Sequence, residues 1–519
     1  MTDRAALSTP SWTNANAVRA IATRPLAFWG VLIAVFVVAR VATWGFPFDS
    51  DHWIFFYVGR NWIVEGGDLY VDAWDHKPPM IFLMNGIMAA LFGDNLVLHR
   101  IWLTAFTVLD CWLFFLLVKR VLPPMLDRVD AAQRIDRTVA VRLTLLGYVF
   151  FRNLSQFTNS GNNTEAFGVI LVLLMVLAYL KFTETDGLRW LALAGLACGV
   201  LFWFKGNFLI FGAIIGVLLL FHGWRAKGRL ALQVLVYVAP IILVALGWCA
   251  YFAAQGTFDD FWLASFGFSA KYATSAWAGK VSANILLIAT TAALLVPALV
   301  FFAVYLRDAK TQWREHSYHM IGWMFLSGLV LIGAVGSFYA YYLLVTMPFT
   351  VLVIMYGMLR VSSFGPVVRW VLIVGFILTL LVNSAISGRQ LLNSFSGSAH
   401  QDAVDKQHAA EFIDERTETD DRIVSYDYGA TFYILADRRA PSRFISASVL
   451  LLDSRDGYGL GFNDEFIEGI ERHEVQYIML SGENRELYAS NTQVNDFLVR
   501  NFATVATFGG VDVLERIAP

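Results

Sequence analysis

The chain has 519 residues, of which 57% are apolar and 15% charged, with a formal net charge of −2. Uncharged runs of roughly 20 residues, the length that spans ~30 Å of hydrocarbon, recur up to residue 388. This excludes a soluble globular class, and no nucleic-acid partner is expected, because what matters here is where the charges lie. Cys111, Cys198 and Cys249 all fall inside apolar runs, so no disulfide framework is indicated and each reads as a small buried hydrophobe.

In chain order, residues 1–25 are polar and read as a cytoplasmic segment, with Arg19 and Arg24 before the first apolar run, Leu26 to Phe46. That run lacks a small-residue cleavage site and reads as an uncleaved span. Arg40, near its far end, is either a snorkelling side chain or a contact of a polar site. The polar insertion that follows, Asp49 to Pro79, carries Asp49, Asp51, Glu65, Asp68, Asp72 and Asp75 beside Arg60 and Lys77. Met80 to Phe92 is apolar but about a dozen residues long, so it reads as interfacial rather than spanning.

Further spans are expected near 97–118, 140–157, 165–182, 188–204, 206–221, 230–253, 282–306, 318–336, 341–359 and 368–387. Together with the first they make about eleven, within a range of roughly 10 to 13, and every basic loop then lies on the N-terminal side, while the opposite loops hold few cations, Arg152 among them. The fold expected is a polytopic α-helical membrane domain over 26–388, with a first extracytoplasmic loop at 47–96. After Gly388 the chain turns polar. Short β-like runs at Arg422–Tyr426, Val475–Leu480, Thr504–Phe508 and Val511–Leu514, with helical patterns at Asp402–Arg416 and Thr492–Asn501, point to an extracytoplasmic soluble α/β domain over 389–519.

Candidate chemistry gathers on the outer face. Asp49 and Asp51 follow Pro47, and in an extended chain positions i and i+2 point the same way. Such a pair suits a general base or a cation site, against the plainer reading of a solvated loop in which Asp68, Asp72 and Asp75 are ordinary surface acids. His76-Lys77-Pro78-Pro79 places an ammonium where the loop re-enters the headgroup region, suited to a lipid-linked phosphate, or else simply snorkelling. Glu165 reads as a helix-start acid or a site carboxylate. Lys205, between two apolar runs, needs an anion or water. Aromatic groups at Phe338 to Tyr342 and Trp262 to Trp277 fit an interfacial belt. There is no Walker-type loop, CxxC, HExxH or GxSxG.

From Asp51 to Pro79 the chain resembles the GT-C superfamily of polyprenyl-phosphate-sugar-dependent glycosyltransferases, most closely the protein O-mannosyltransferase and lipid A aminoarabinose transferase group. The resemblance rests on Asp51, Arg60-Asn61, Gly66-Gly67-Asp68-Leu69-Tyr70 and Lys77-Pro78-Pro79, and less specifically on Asn163-Thr164-Glu165, Lys205-Gly206 and Tyr341-Tyr342. It implies an inverting transfer from a polyprenyl monophosphate to an acceptor hydroxyl on a glycan, lipid or protein. Asp51 would be the catalytic acid of the family with Asp49 beside it. His52, Arg60, His76, Lys77, Glu165, Lys205, Tyr341 and Tyr342 would line the substrate site. His52 stands where relatives usually have Glu, which leaves a divalent cation on Asp49, Asp51 and Glu165 open. The rivals are a transporter or flippase of a lipid-linked sugar and a non-catalytic assembly subunit. Clustering of polar groups at outer helix ends, rather than at the midplane of repeated halves, disfavours the transporter.

Overall fold

The computed structural model describes residues 22–44, 47–127, 136–225, 229–270, 285–309, 316–335, 339–427, 429–455, 460–481 and 489–517. The expected cytoplasmic segment up to residue 21, Phe338 and the 271–277 part of the aromatic stretch lie outside them.

Among the described residues six helices are long and apolar enough to cross a membrane: Leu96–Leu126, Thr164–Thr185, Leu230–Gln255, Ile288–Asp308, Ala340–Leu359 and part of Pro366–Asp414. Shorter apolar helices cover Pro25–Arg40, Leu188–Phe202, Gly206–His222 and His319–Leu331, each at an expected span. The span expected at 140–157 is instead a 16-residue helix, Arg137–Arg152, ending where the Asn-rich 153–163 turn begins. The protein is an integral membrane protein. Ala340–Leu359 forms its centre, almost wholly buried, whereas Leu235, Leu243 and Leu246 of Leu230–Gln255 and Val371 and Leu381 of Pro366–Ser396 stay exposed, as lipid-facing side chains do.

Arg40 and Arg152 correct two readings. Arg152, expected in an outer loop, is 1% exposed and donates from Nε to Asp110 Oδ2 at 2.5 Å, with Tyr148 on the other carboxylate oxygen. Arg40 does not snorkel: it is buried and donates from Nη2 to Thr104 Oγ1 at 3.4 Å. Both lie in the protein interior because a guanidinium facing hydrocarbon has no partner there.

The loop at 47–96 is built on two short helices, α1 (Ser50–Ile63) and α2 (Pro79–Phe92). Neither spans. They cross at glycines: a Cβ on Gly59 would sit 2.5 Å from Gly86 N and 2.6 Å from Phe82 O, and one on Gly86 would sit 2.7 Å from Gly59 O. Gly59→Ala should therefore force the crossing apart and destabilise the protein by about 1–3 kcal/mol. A thermal-unfolding midpoint in detergent equal to that of wild type would show that the helices do not pack this closely.

The C-terminal part folds around a four-stranded sheet, β1 (Val424–Tyr426), β2 (Tyr477–Ser481), β3 (Phe502–Phe508) and β4 (Val511–Arg516), in the order β1-β2-β4-β3. β1 pairs parallel with β2, and β4 runs antiparallel to both neighbours. These strands fall on the four β-like runs of the sequence. Helices Ser398–Asp414 and Thr492–Asn501 match its helical patterns. The sheet region lies directly on the loop and shares one apolar core with it, in which Phe55, Tyr57, Trp74 and Phe82 meet Val424, Phe432, Phe444 and Phe462. The Ala440 N–H donates to Tyr57 Oη at 2.9 Å and the Trp74 N–H to the Arg443 carbonyl at 2.9 Å. Loop and sheet are thus held as one body, which fixes the loop's side chains against the membrane helices.

Candidate active site

Asp49 caps α1. Its Oδ1 accepts from the His52 N–H at 3.0 Å and from Ser160 Oγ at 2.6 Å, and Asn159 Nδ2 donates to its Oδ2. A carboxylate at an N-cap satisfies amides that the helix leaves open. Here it also ties α1 to the 153–163 turn. Burial first, then the Asp51 charge, push Asp49 up to about 7, against the Ser160 and His52 donors.

Asp51, in the first turn of α1, is partly exposed, and its carboxylate makes no hydrogen bond to another described residue. Burial raises it above the ordinary carboxylate range. Lys77 opposes that most strongly, Asp75 and Glu165 add to it, and Lys205 opposes it. The i, i+2 pair of the sequence thus divides into a saturated cap and an open carboxylate. The backbone turns helical at Ser50, so the two do not share one extended face.

Lys77 is placed by the turn before it. Gly66 lies at φ 75° and Tyr70 at φ 71°, a left-handed conformation that a tyrosine rarely adopts. In it Tyr70 is fully buried and donates from its hydroxyl to the Lys77 carbonyl at 2.8 Å. Pro79 then opens α2 at its first position. The Met80 N–H donates to the Trp203 carbonyl at 3.2 Å, which carries the Lys77 end of α2 to the break that holds Lys205. Lys205 stands extended between the helices Leu188–Phe202 and Leu209–Arg225, ahead of a single 3₁₀ turn. Its Nζ lies 2.7 Å from Glu165 Oε1 and 3.9 Å from the centre of the Tyr342 ring.

Glu165 opens the helix Thr164–Thr185, whose cap is Asn163. It is 1% exposed, and Thr164 Oγ1 donates to its Oε2 at 2.9 Å. Neither a plain helix-start acid nor a free carboxylate, it is the counter-ion of Lys205. Tyr341, beside Tyr342, lies within electrostatic reach of Asp51 and Glu165. The structure therefore brings Asp51, Lys77, Glu165, Lys205, Tyr341 and Tyr342 to one place.

Other candidates sit elsewhere. His52 is 0% exposed, stacked on Phe48 at 3.6 Å between ring centres, with Nδ1 3.0 Å from Asn162 Nδ2. Burial, then the His99 and Arg100 charges, hold it well below the ordinary imidazole range, so it packs α1 as a neutral ring. Arg60 lies at the far end of α1, bonded to Asp437 at 2.6 Å, to Asp94 at 3.0 Å and to Glu65 at 3.0 Å, where it joins loop and sheet.

Asp75, read from the sequence as solvated, is 4% exposed, with Oδ1 3.1 Å from His76 Nδ1. His76 Nε2 lies 2.8 Å from Lys77 Nζ. Burial pushes Asp75 up, but His76 and Lys77 beside it outweigh that and hold its carboxyl below the ordinary range. Burial and then Lys77 lower His76. No sequence signal separated Asp75 from its exposed neighbours, because its burial comes from the sheet region folding over the loop.

The suggested cation set does not converge. Asp49 has both oxygens occupied by donors, Glu165 is held by Lys205 and Thr164, and Asp51 alone stays open. Among the described residues no three His, Cys, Asp or Glu side chains are grouped to hold a metal ion.

Residues 76–249 match the family model described as dolichyl-phosphate-mannose-protein mannosyltransferase. The match takes in Lys77, Glu165 and Lys205 and begins beyond Asp51. No curated protein matches the chain. The ArnT of Cupriavidus metallidurans bound to undecaprenyl phosphate superimposes with a TM-score of 0.58 at 12% identity, covering 95% of this chain and 99% of that one. The archaeal oligosaccharyltransferase AglB of Archaeoglobus fulgidus, in complex with an inhibitory peptide and a dolichol-phosphate, does so with a TM-score of 0.53 at 12% identity, covering 91% of this chain and 72% of that one. Over nearly its whole length the chain thus has the GT-C fold of these two structures.

Proposed function

We propose that this protein transfers a sugar, with inversion, from a polyprenyl monophosphate to an acceptor hydroxyl on the extracytoplasmic face. The observation that carries this reading is Asp51, an open carboxylate with a raised proton affinity, standing among two lysines that are each held by another partner. The acceptor oxygen attacks the anomeric carbon and Asp51 takes its proton. The bond from that carbon to the phosphate oxygen breaks, and the lipid phosphate leaves with the electron pair. Lys77 and Lys205 face the charge that grows on the phosphate as it departs. The aromatic wall of Tyr341 and Tyr342 offers a surface for the sugar ring.

The family match and the lipid phosphates bound to ArnT and AglB support the donor class. The basic loops on the N-terminal side of the expected spans support an outward-facing site, with the sheet region outside. The test is transfer by the purified protein in nanodiscs from a polyprenyl-phosphate sugar against the same sugar on a nucleotide. Turnover confined to the nucleotide donor, or transport of the lipid-linked sugar without transfer, would overturn the reading.

The pH dependence follows from the same carboxylate. Asp51 must be ionised to accept a proton, so kcat falls as pH drops through its folded value. Because that value is raised, the acid limb of kcat at saturating donor should lie above the ordinary carboxylate range. It belongs to the Asp49–Asp51 pair rather than to one residue. A rate that is flat down to the ordinary range would contradict Asp51 as the base.

A further inference from the structure

We propose that His76, backed by Asp75, is the positioning residue that keeps Lys77 off Asp51 and aimed, fully charged, at the donor phosphate. The inference rests on the transfer reading above. Asp51 would make a natural ion-pair partner for Lys77, whose charge acts on it more than any other. That pair would cancel both groups at once, leaving no base and no phosphate ligand. The structure shows the other arrangement. Lys77 Nζ lies 2.8 Å from His76 Nε2, and His76 Nδ1 lies 3.1 Å from Asp75 Oδ1.

An ammonium can only donate, so Nε2 accepts and the ring proton sits on Nδ1, facing Asp75. The ring is therefore neutral while it holds Lys77. A neutral acceptor fixes the ammonium without reducing its charge, which is the difference from Lys205, neutralised by Glu165 at 2.7 Å. The imidazole is itself immobilised. Its ring stands 5.3 Å from that of Phe268, and the Ser269 hydroxyl donates to the His76 carbonyl at 3.4 Å. Charged groups facing it include Asp75, Lys77 and Asp51.

Protonating the ring would remove the acceptor and set a cation against Lys77. Burial and Lys77 both work against that step, so it occurs only below the ordinary imidazole range. The device consequently predicts an acid weakening of donor binding that is separate from the kcat limb of Asp51.

The test measures binding of a sugar-free polyprenyl phosphate to the full chain in nanodiscs, at neutral and acid pH. In His76→Gln, whose side-chain carbonyl can still accept from Lys77, affinity at neutral pH should stay within about threefold of wild type and weaken less than wild type at acid pH, the remainder coming from protonation of the phosphate monoester itself. In His76→Leu, which cannot accept, affinity should fall by about tenfold or more. Equal affinity in wild type and His76→Leu, or the same acid weakening in wild type and His76→Gln, would overturn the proposal. Failure of wild type to bind polyprenyl phosphate at all would instead overturn the donor assignment beneath it.

Discussion

Asp51→Asn is expected to lower turnover of sugar transfer by about 10²–10⁴-fold, the usual worth of a positioned general base. Polyprenyl phosphate should bind the variant at least as tightly as wild type, since the change removes a negative charge from beside an anion. The substitution keeps the shape of the side chain and, because Asp51 makes no hydrogen bond to a described residue, disrupts no contact of the fold. Asp49 cannot take over: its oxygens are committed to the α1 cap and to Asn159 and Ser160. The measurements are single-turnover transfer and lipid-phosphate binding on the same preparation. Full turnover in Asp51→Asn, or a loss of binding that accounts for the whole loss of rate, would remove Asp51 from the role of base.

The second large effect concerns stability. Asp110→Ala should destabilise the membrane domain by about 3–5 kcal/mol, because it strands the buried guanidinium of Arg152. Asp110 joins the helix Leu96–Asp127 to the helix Arg137–Arg152 through both Arg152 and the Tyr148 hydroxyl. Arg40 stands close by with Nε and Nη1 unpaired, so the variant would leave two buried cations and no anion between them. Asp110→Leu combined with Arg152→Met should recover much of the loss, since apolar side chains of similar volume replace the pair without a stranded charge. Thermal unfolding in detergent reads both. A double variant no more stable than the single one would show that the cost comes from packing rather than from the unpaired charge.

The membrane architecture was legible in the chain because hydrocarbon leaves few options. Apolar run length marks the helices, and the short apolar run Met80–Phe92 is indeed a separate helix of 14 residues, Pro79–Phe92. Asp51, Lys77, Glu165 and Lys205 were legible for a related reason: ionisable groups at the ends of apolar runs are costly unless they have a use. Arg152 misread because a cation at the end of an apolar run looks the same whether it meets water or a buried aspartate. His52 and Arg60 misread because the motif that carries them says which residues recur together, not which way each side chain points.

Sequence by itself determined the class, the four strands and the residues worth testing, since hydropathy and charge spacing are local properties of the chain. Only tertiary structure decided how those residues divide their work. It buried Asp75 under the sheet region, gave each lysine a different partner, and spent Asp49 on a helix cap. Those outcomes depend on elements hundreds of residues apart meeting across the loop, and no local pattern records such a meeting. What it left open was Asp51.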